Sequence, residues 1–289
     1  MQYQLLESLI SSGGVEDVNT MSANLAKEVQ AKLKDGGYYS GDIDGEFGTK
    51  SKAAFSEFKS THFLNSPDKL GASAAKSLLA LSNTITGDDL ASKIIRRMQA
   101  LGFKVFKGRG EVNLIYLEGV NADGTPNSDR LDEFNDRRIL LVFENNKPKI
   151  IGNYLGSSEI GAYYTYNRMN PLGGARIAID AQFTAWAVGY HGYGNSEHEA
   201  LVQVGEVTVC RDDNEDGMRT GDYQDTGYFG INYHSAFDSE NVGRWSAGCL
   251  IVQSHADHQE SMELLKRDPR YLSNPDFIFT IAILDGQKL

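Results

Sequence analysis

Apolar positions change their rhythm about a third of the way along this chain. In LAKEVQAKL, Leu25, Val29 and Leu33 recur every four residues, the spacing of one buried stripe on an α-helix. A second helix is predicted in TKSKAAFSEFKS, with Thr49 or Ser51 as its cap and Ala54, Phe55 and Phe58 as its buried stripe. A third, in GASAAKSLLAL, closes this unit near Leu81. The intervening DGGYYSGDIDGEFG, Asp35 to Gly48, is so dense in Gly and Asp that it reads as a loop. SNTITGDD, Ser82 to Asp89, reads as a linker, and a further helix is predicted from Leu90 to Leu101. After that the texture is β: VNLIYLEGV, RRILLVFENNKPKIIGNYL, ARIAI, AWAVGYH, ALVQVGEVTVC and FIFTIAIL are short apolar runs divided by turn clusters. HADHQESMELLKRD, His255 to Asp268, is the clearest helical pattern among them. The expected fold class is α+β in two domains: residues 1–85, an N-terminal arm and a small three-helix bundle, and residues 86–289, mainly β.

Composition narrows the function classes. The net charge is −11, from 39 acidic and 28 basic residues, and no basic cluster interrupts it. Nucleic acid is excluded as a partner on that ground, because phosphate binding needs a positive footprint. No window approaches the roughly 18 uncharged apolar residues of a membrane span, so integral membrane association is not expected. Two cysteines, Cys210 and Cys249, allow at most one bridge. The start, MQYQLLESLISSGG, has no basic n-region, long apolar h-region or small-residue cleavage site, so synthesis in a cytoplasm is expected.

The candidate chemistry lies in GINYHSAFDSENVGRWSAGCLIV, Gly230 to Val252. A cysteine attacks as thiolate, and a free thiol with a pKa near ~8.5 needs a neighbouring imidazole to do so at neutral pH. A polar, glycine-containing loop joins His234 to Cys249 and allows them to meet. Gly248 removes a side chain beside the sulfur, and N–H groups of the Gly248–Cys249 turn are candidates to stabilise an oxyanion. Ser246 is placed to orient the imidazole or to contact substrate, and LIV after Cys249 buries the chain. His191 in GYHGYG, with Arg244 and Trp245, is assigned to substrate contact. Cys210, at the end of a strand pattern, is read as a buried packing residue.

Two families resemble parts of this chain. The run from Leu25 to Leu79 resembles the three-helix peptidoglycan-binding domain family, through VQAKLKDGGYYSGDIDGEFG, TKSKAAFSEFKSTHFL and a Gly followed by a small-residue helix; Lys59 stands where that family often has Gln. YHSAFDSENVGRWSAGC resembles the active-site motif of the L,D-transpeptidase catalytic-domain family, and NPLGGARIAI resembles the strand that precedes it there. The resemblance implies a β-rich catalytic domain with Cys249 as nucleophile and His234 as base, Ser246 and Gly248 completing the turn. It implies acyl transfer on peptidoglycan stem peptides through a thioester, with no cofactor required. Ala247 stands where many members have His and Ile251 where many have Arg, and the choice between cross-linking and cleavage stays open. A wall-binding module without a leader fits a protein made in the cytoplasm and released later, as phage endolysins are; a truncated secreted protein gives the same start.

Other readings are carried alongside. Asp212, Asn214, Asp216 and Gly217 in DDNEDGMRTGD match the first half of a calcium loop, with Tyr223 in place of the closing Glu and Asp222 or Asp225 as late ligands, so a structural calcium is one expectation. An ordinary Asx-rich turn is the other. His191, His198, His234, His255 and His258 are the candidates for a zinc peptidase, although no HExxH is present and His255 and His258 are expected on the solvent face of their helix. A wall-binding protein without catalysis is the remaining alternative.

Overall fold

The protein's computed structural model describes residues 3–81, 85–144 and 146–289. The chain divides into two compact units, Met1–Asp88 with Val105–Glu111 and Val142–Lys149, and Asp89–Lys104 with Val112–Leu141 and Ile150–Leu289. Part of the expected linker, residues 82–84, lies outside the described residues.

The first unit runs α1 (Gln4–Ser12), β1 (Val15–Asp17), α2 (Ala23–Asp35), α3 (Thr49–Thr61), β2 (Lys69–Gly71) and α4 (Ala72–Leu79). The expected stripes are its core: Val29, Leu33, Phe55 and Phe58 are fully buried, with Leu6, Leu70 and Leu78 against them. The N-terminal residues form a helix rather than an arm, so the unit has four helices among the described residues. Leu6 is buried because α1 is amphipathic, and the Glu28 carboxylate accepts from Leu5 N and Leu6 N at its start. Ser22 caps α2 by accepting from Leu25 N. Neither Thr49 nor Ser51 caps α3; the cap position is Gly48, and Ser51 is turned inward to a buried glutamine.

That glutamine, Gln30, explains how a Gly-Asp loop keeps one shape. Its side-chain nitrogen donates to Asp44 Oδ1 (2.8 Å), Glu46 O (3.1 Å) and Ser51 Oγ (3.1 Å), and its oxygen accepts from Gly45 N (2.9 Å). Gly45 has φ +86°, and a Cβ there would meet Ala23 O at 2.7 Å.

The second unit begins with α5 (Leu90–Ala100), capped by Asp89, followed by β3 (Asn113–Glu118), β4 (Asp136–Glu144), β5 (Lys147–Ser157), α6 (Ala162–Tyr166), β6 (Gly174–Ile177), β7 (Ala181–His191), β8 (His198–Gln203), β9 (Val207–Asp212), β10 (Tyr223–Gly227), β11 (Tyr233–Ser235), β12 (Leu250–Val252), α7 (His255–Lys266), α8 (Pro269–Ser273) and β13 (Phe279–Asp285). Eight strands close a barrel in the order β11, β12, β5, β4, β3, β13, β7, β8, and β10, β9, β6 form a separate three-stranded sheet. The pairs β11–β12 and β13–β3 are parallel. The three-residue strands β11 and β12, too short to show alternation, carry the segment of interest.

Replacing Gln30 by Leu strands the Gly45 N–H and is expected to cost about 1–3 kcal/mol locally. Hydrogen exchange checks this: the Gly45 amide is expected to exchange roughly ten- to a hundredfold faster in Gln30→Leu, and unchanged protection contradicts the role assigned to Gln30.

Candidate active site

The parallel pairing of β11 with β12 sets Tyr233 beside Leu250 and His234 beside Ile251. One position earlier, Leu250 N donates to Asn232 O (2.8 Å) and Asn232 N donates to Cys249 Sγ (3.4 Å). The thiol in turn donates to Gly230 O (3.5 Å). Cys249 and His234 therefore sit at the ends of neighbouring strands, joined across Asn232. They share no hydrogen bond in this geometry, since His234 Nε2 has no partner among the described residues.

The imidazole is nonetheless oriented. His234 Nδ1 lies 2.8 Å from Ser235 O, an acceptor, so Nδ1 carries the proton and Nε2 keeps a free lone pair. His191 stacks on the ring with centroids 4.0 Å apart, and Asn232 Nδ2 donates to His191 Nδ1 (3.0 Å). Strand register gathers these rings. His191 and His198 are cross-strand partners on β7 and β8, and β8 pairs with β11. His198 Nε2 accepts from Ser235 N (3.2 Å), which holds β11 from its other side.

The turn before Cys249 is closed by Ser246. Its buried hydroxyl donates to Cys249 O (2.9 Å) and accepts from Gly248 N (3.1 Å), so it neither orients the imidazole nor faces substrate. That bond also spends the Gly248 N–H, which corrects the expectation that it serves an oxyanion; the Cys249 N–H has no hydrogen-bond partner among the described residues. Gly248 has φ +134°, and a Cβ there would lie 2.6 Å from Ala175 O on β6, so glycine is required by backbone approach as well as by conformation.

Beneath both strands lies a residue the sequence reading missed. Arg138, on β4, is fully buried and spends all five guanidinium protons: Nε on Tyr116 Oη (2.7 Å), Nη1 on His258 Nδ1 (3.0 Å) and Ser261 Oγ (3.3 Å), Nη2 on His234 O (3.1 Å) and Leu250 O (3.2 Å). Its guanidinium carbon lies 3.3 Å from the centroid of the Tyr233 ring. One side chain thus binds the carbonyl of the histidine and the carbonyl that follows the cysteine. His258 is buried against it, contrary to the expected solvent face, because α7 packs on the barrel here; its Nε2 donates to Glu199 O (2.8 Å). Two arginines opening an otherwise apolar strand, DRRILLVF, were the available signal.

Desolvation decides the protonation of the pair. It lowers the His234 pKa to about 3, with His191 and His198 adding to the effect against the Ser235 carbonyl. It raises the Cys249 thiol to about 11, opposed in part by the Asn232 N–H. At neutral pH both groups are uncharged, which corrects the expectation of a resting thiolate. His258 is lowered to about 2 by burial and by the Arg138 charge, so it accepts from Arg138 as a neutral ring.

The other assigned residues fall around this centre. Arg244 lies over the Tyr163 ring at 3.9 Å, and Trp245 stacks on Phe237, both in the loop between β11 and β12. Cys210 is buried and, like Cys249, free. Asp212 accepts from Asp216 N (3.2 Å) and Gly217 N (3.1 Å), Asn214 from Asp216 N (3.1 Å), and Asp216 from Met218 N (2.7 Å), a run of Asx turns. Asp225 is held instead by Arg211. Among the described residues no group of three or more His, Cys, Asp or Glu is disposed to hold a metal ion, the five clustered histidines included. The loop's Arg219 forks onto Glu118 (2.7 Å to each oxygen) and reaches Glu159, which also pairs with Arg176; this buried cluster ties β3, β6 and the segment that follows β5 together.

Fold and site together define a closed β-barrel with a buried imidazole on one strand and a thiol immediately before the parallel strand beside it. Residues 22–69 match a family described as "Putative peptidoglycan binding domain". No curated protein matches the chain. Among solved structures, a fused Zn-dependent amidase/peptidase/peptidoglycan-binding domain-containing protein from Clostridium acetobutylicum aligns over 94% of this chain and 99% of its own, at 14% identity and a TM-score of 0.27, too low for any inference about fold or activity. No helix among the described residues is long and apolar enough to cross a membrane.

The protonation state is testable by alkylation, with Cys249 followed by peptide mass spectrometry. Its iodoacetamide rate is expected to keep rising above pH 9, toward the raised thiol pKa of about 11. A plateau from pH 5 to 8 would contradict a neutral pair and indicate a thiolate–imidazolium.

Proposed function

We propose that the protein is a peptidoglycan-active cysteine enzyme of the L,D-transpeptidase kind, transferring the acyl group of a stem peptide through a thioester on Cys249. One observation carries the reading. His234 is fixed as the Nδ1–H tautomer by Ser235 O, with Nε2 unpartnered among the described residues, on the strand that runs parallel to and beside the one Cys249 immediately precedes. Residues 22–69, whose family description names peptidoglycan, support that polymer as the substrate and the cell wall as the site of action.

The neutral pair shapes the steps. The thiol proton, resting on Gly230 O, passes to His234 Nε2 as sulfur bonds to the amide carbonyl carbon. The carbonyl oxygen becomes an oxyanion and meets the Cys249 N–H. The C–N bond then breaks, the amine leaves with the proton from His234, and the acyl group remains on sulfur. A second amine receives it in cross-linking, or water in cleavage. None of these steps needs a cofactor. His191 acts here as a positioning residue, since its ring lies on the base.

Incubation with purified muropeptides, followed by mass spectrometry, tests the proposal. Wild-type protein is expected to give new dimers or trimmed stems, and Cys249→Ala to lose at least about a thousandfold of that activity. Turnover that survives Cys249→Ala, or that a chelator abolishes while alkylation does not, would overturn it.

A further inference from the structure

The end of α3 departs from the usual helix ending. Leu64 N donates to Lys59 O (2.8 Å) and Phe63 N to Ser60 O (3.1 Å), the paired bonds that close a helix through one left-handed residue, ordinarily glycine. Here that residue is Phe63, with φ +53°. A bulky side chain is strained in this conformation. Its ring does not offset the strain by packing inside, since it is 70% exposed. Strain and exposure thus fall on one residue that stability alone would replace with glycine, which points to a role in contact with something else.

Phe63 lines an open cleft of about 390 Å³ together with Thr61, Arg109, Val142, Phe143 and Glu144. That volume lies within the ~300–1,000 Å³ of small-molecule sites. All six residues belong to the first unit, because residues 105–111 and 142–149 return to it. Val142 and Phe143 are buried and give the cleft apolar wall. The Arg109 guanidinium carbon lies 4.4 Å from the centroid of the Phe63 ring, and its donors have no hydrogen-bond partner among the described residues. Glu144 is taken by Lys149 (2.9 Å), which leaves Arg109 as the open polar group. The guanidinium covers one face of the Phe63 ring, and the exposure of that ring leaves the other for a ligand. A pyranose carrying an acetamido group fits both features: the C–H bonds of one sugar face lie on the aromatic ring, and the acetamido carbonyl accepts from the guanidinium.

We propose that this cleft binds an acetamido sugar of the wall's glycan strand, with Phe63 as the stacking platform and Arg109 as the hydrogen-bond donor. The inference rests on peptidoglycan as the polymer and is independent of the chemistry at Cys249. Of the residues named, only Thr61 and Phe63 fall within the matched segment 22–69, so this site is completed by chain that lies beyond it.

Calorimetric titration of the full-length chain with chitotetraose, an acetamido-sugar tetramer without peptide, tests this. Cellotetraose, which lacks the acetamido groups, and a free stem tetrapeptide are the comparison ligands. Chitotetraose is expected to bind about tenfold or more tighter than either. Phe63→Gly is expected to lose about tenfold or more of that affinity while its Tm stays at or above the wild-type value, because glycine relieves the left-handed strain. Phe63→Trp is expected to keep the affinity, and Arg109→Gln, a change at an exposed side chain, to weaken it. No binding of chitotetraose at millimolar concentration, or binding no tighter than that of cellotetraose or the tetrapeptide, would overturn the inference. Affinity unchanged in either Phe63→Gly or Arg109→Gln would do the same, as would a loss in Phe63→Gly that comes with a lowered Tm. The titration requires no turnover. Absent chitotetraose binding beside Cys249-dependent muropeptide turnover therefore refutes this inference alone, and binding without such turnover refutes the proposed cysteine chemistry alone.

Discussion

The site depends on one buried guanidinium. Arg138 holds His234 O and Leu250 O with the same nitrogen, and those two carbonyls belong to strands of only three residues each. Strands this short cannot define their own register, so the relation between His234 and Cys249 is set from below. Five satisfied donors make a buried charge tolerable here, and removal of the side chain would take one hydrogen bond from the Tyr116 hydroxyl, from His258 Nδ1 and from each of the two carbonyls. The surrounding elements serve the same arrangement: α7 contributes His258 and Ser261, β8 contributes the His198 acceptor for Ser235 N, and the Glu118, Glu159, Arg176 and Arg219 cluster secures the strand ends on the far side of the turn.

A site enclosed in this way keeps its thiol and imidazole neutral. Burial makes charge on His234 costly, and the stacked His191 and the nearby His198 disfavour a second proton on it. Under the proposed function the proton would leave sulfur only as sulfur attacks, and no preformed ion pair would need to be maintained. Ser246 and Gly248 contribute geometry: one hydroxyl closes the turn, and a missing Cβ lets the Ala175 backbone approach.

Local signals were legible in the sequence, and long-range ones were not. The stripe of Leu25, Val29 and Leu33 and the pair Phe55 and Phe58 read directly, because helical periodicity is a property of neighbouring residues. His234 and Cys249 were legible as a pair because a single loop joins them. The helix at Gln4–Ser12 had a visible pattern in Leu6 and Leu9, obscured by its terminal position. Arg138 meets Leu250 and the buried His258 across more than 100 residues, Asn232 meets His191 across 41, and no local pattern encodes either. The protonation state was misread for the same reason, since desolvation belongs to the packed barrel and not to the motif.

The central claim is that Cys249 takes up an acyl group with His234 as its base. Intact-protein mass spectrometry after brief incubation with muropeptides and an acid quench reads this directly. The account expects a stem-peptide acyl adduct that maps to Cys249 and is absent from His234→Ala. Wall turnover with no adduct on Cys249 at any quench time, or an adduct that forms equally fast in His234→Ala, would contradict it.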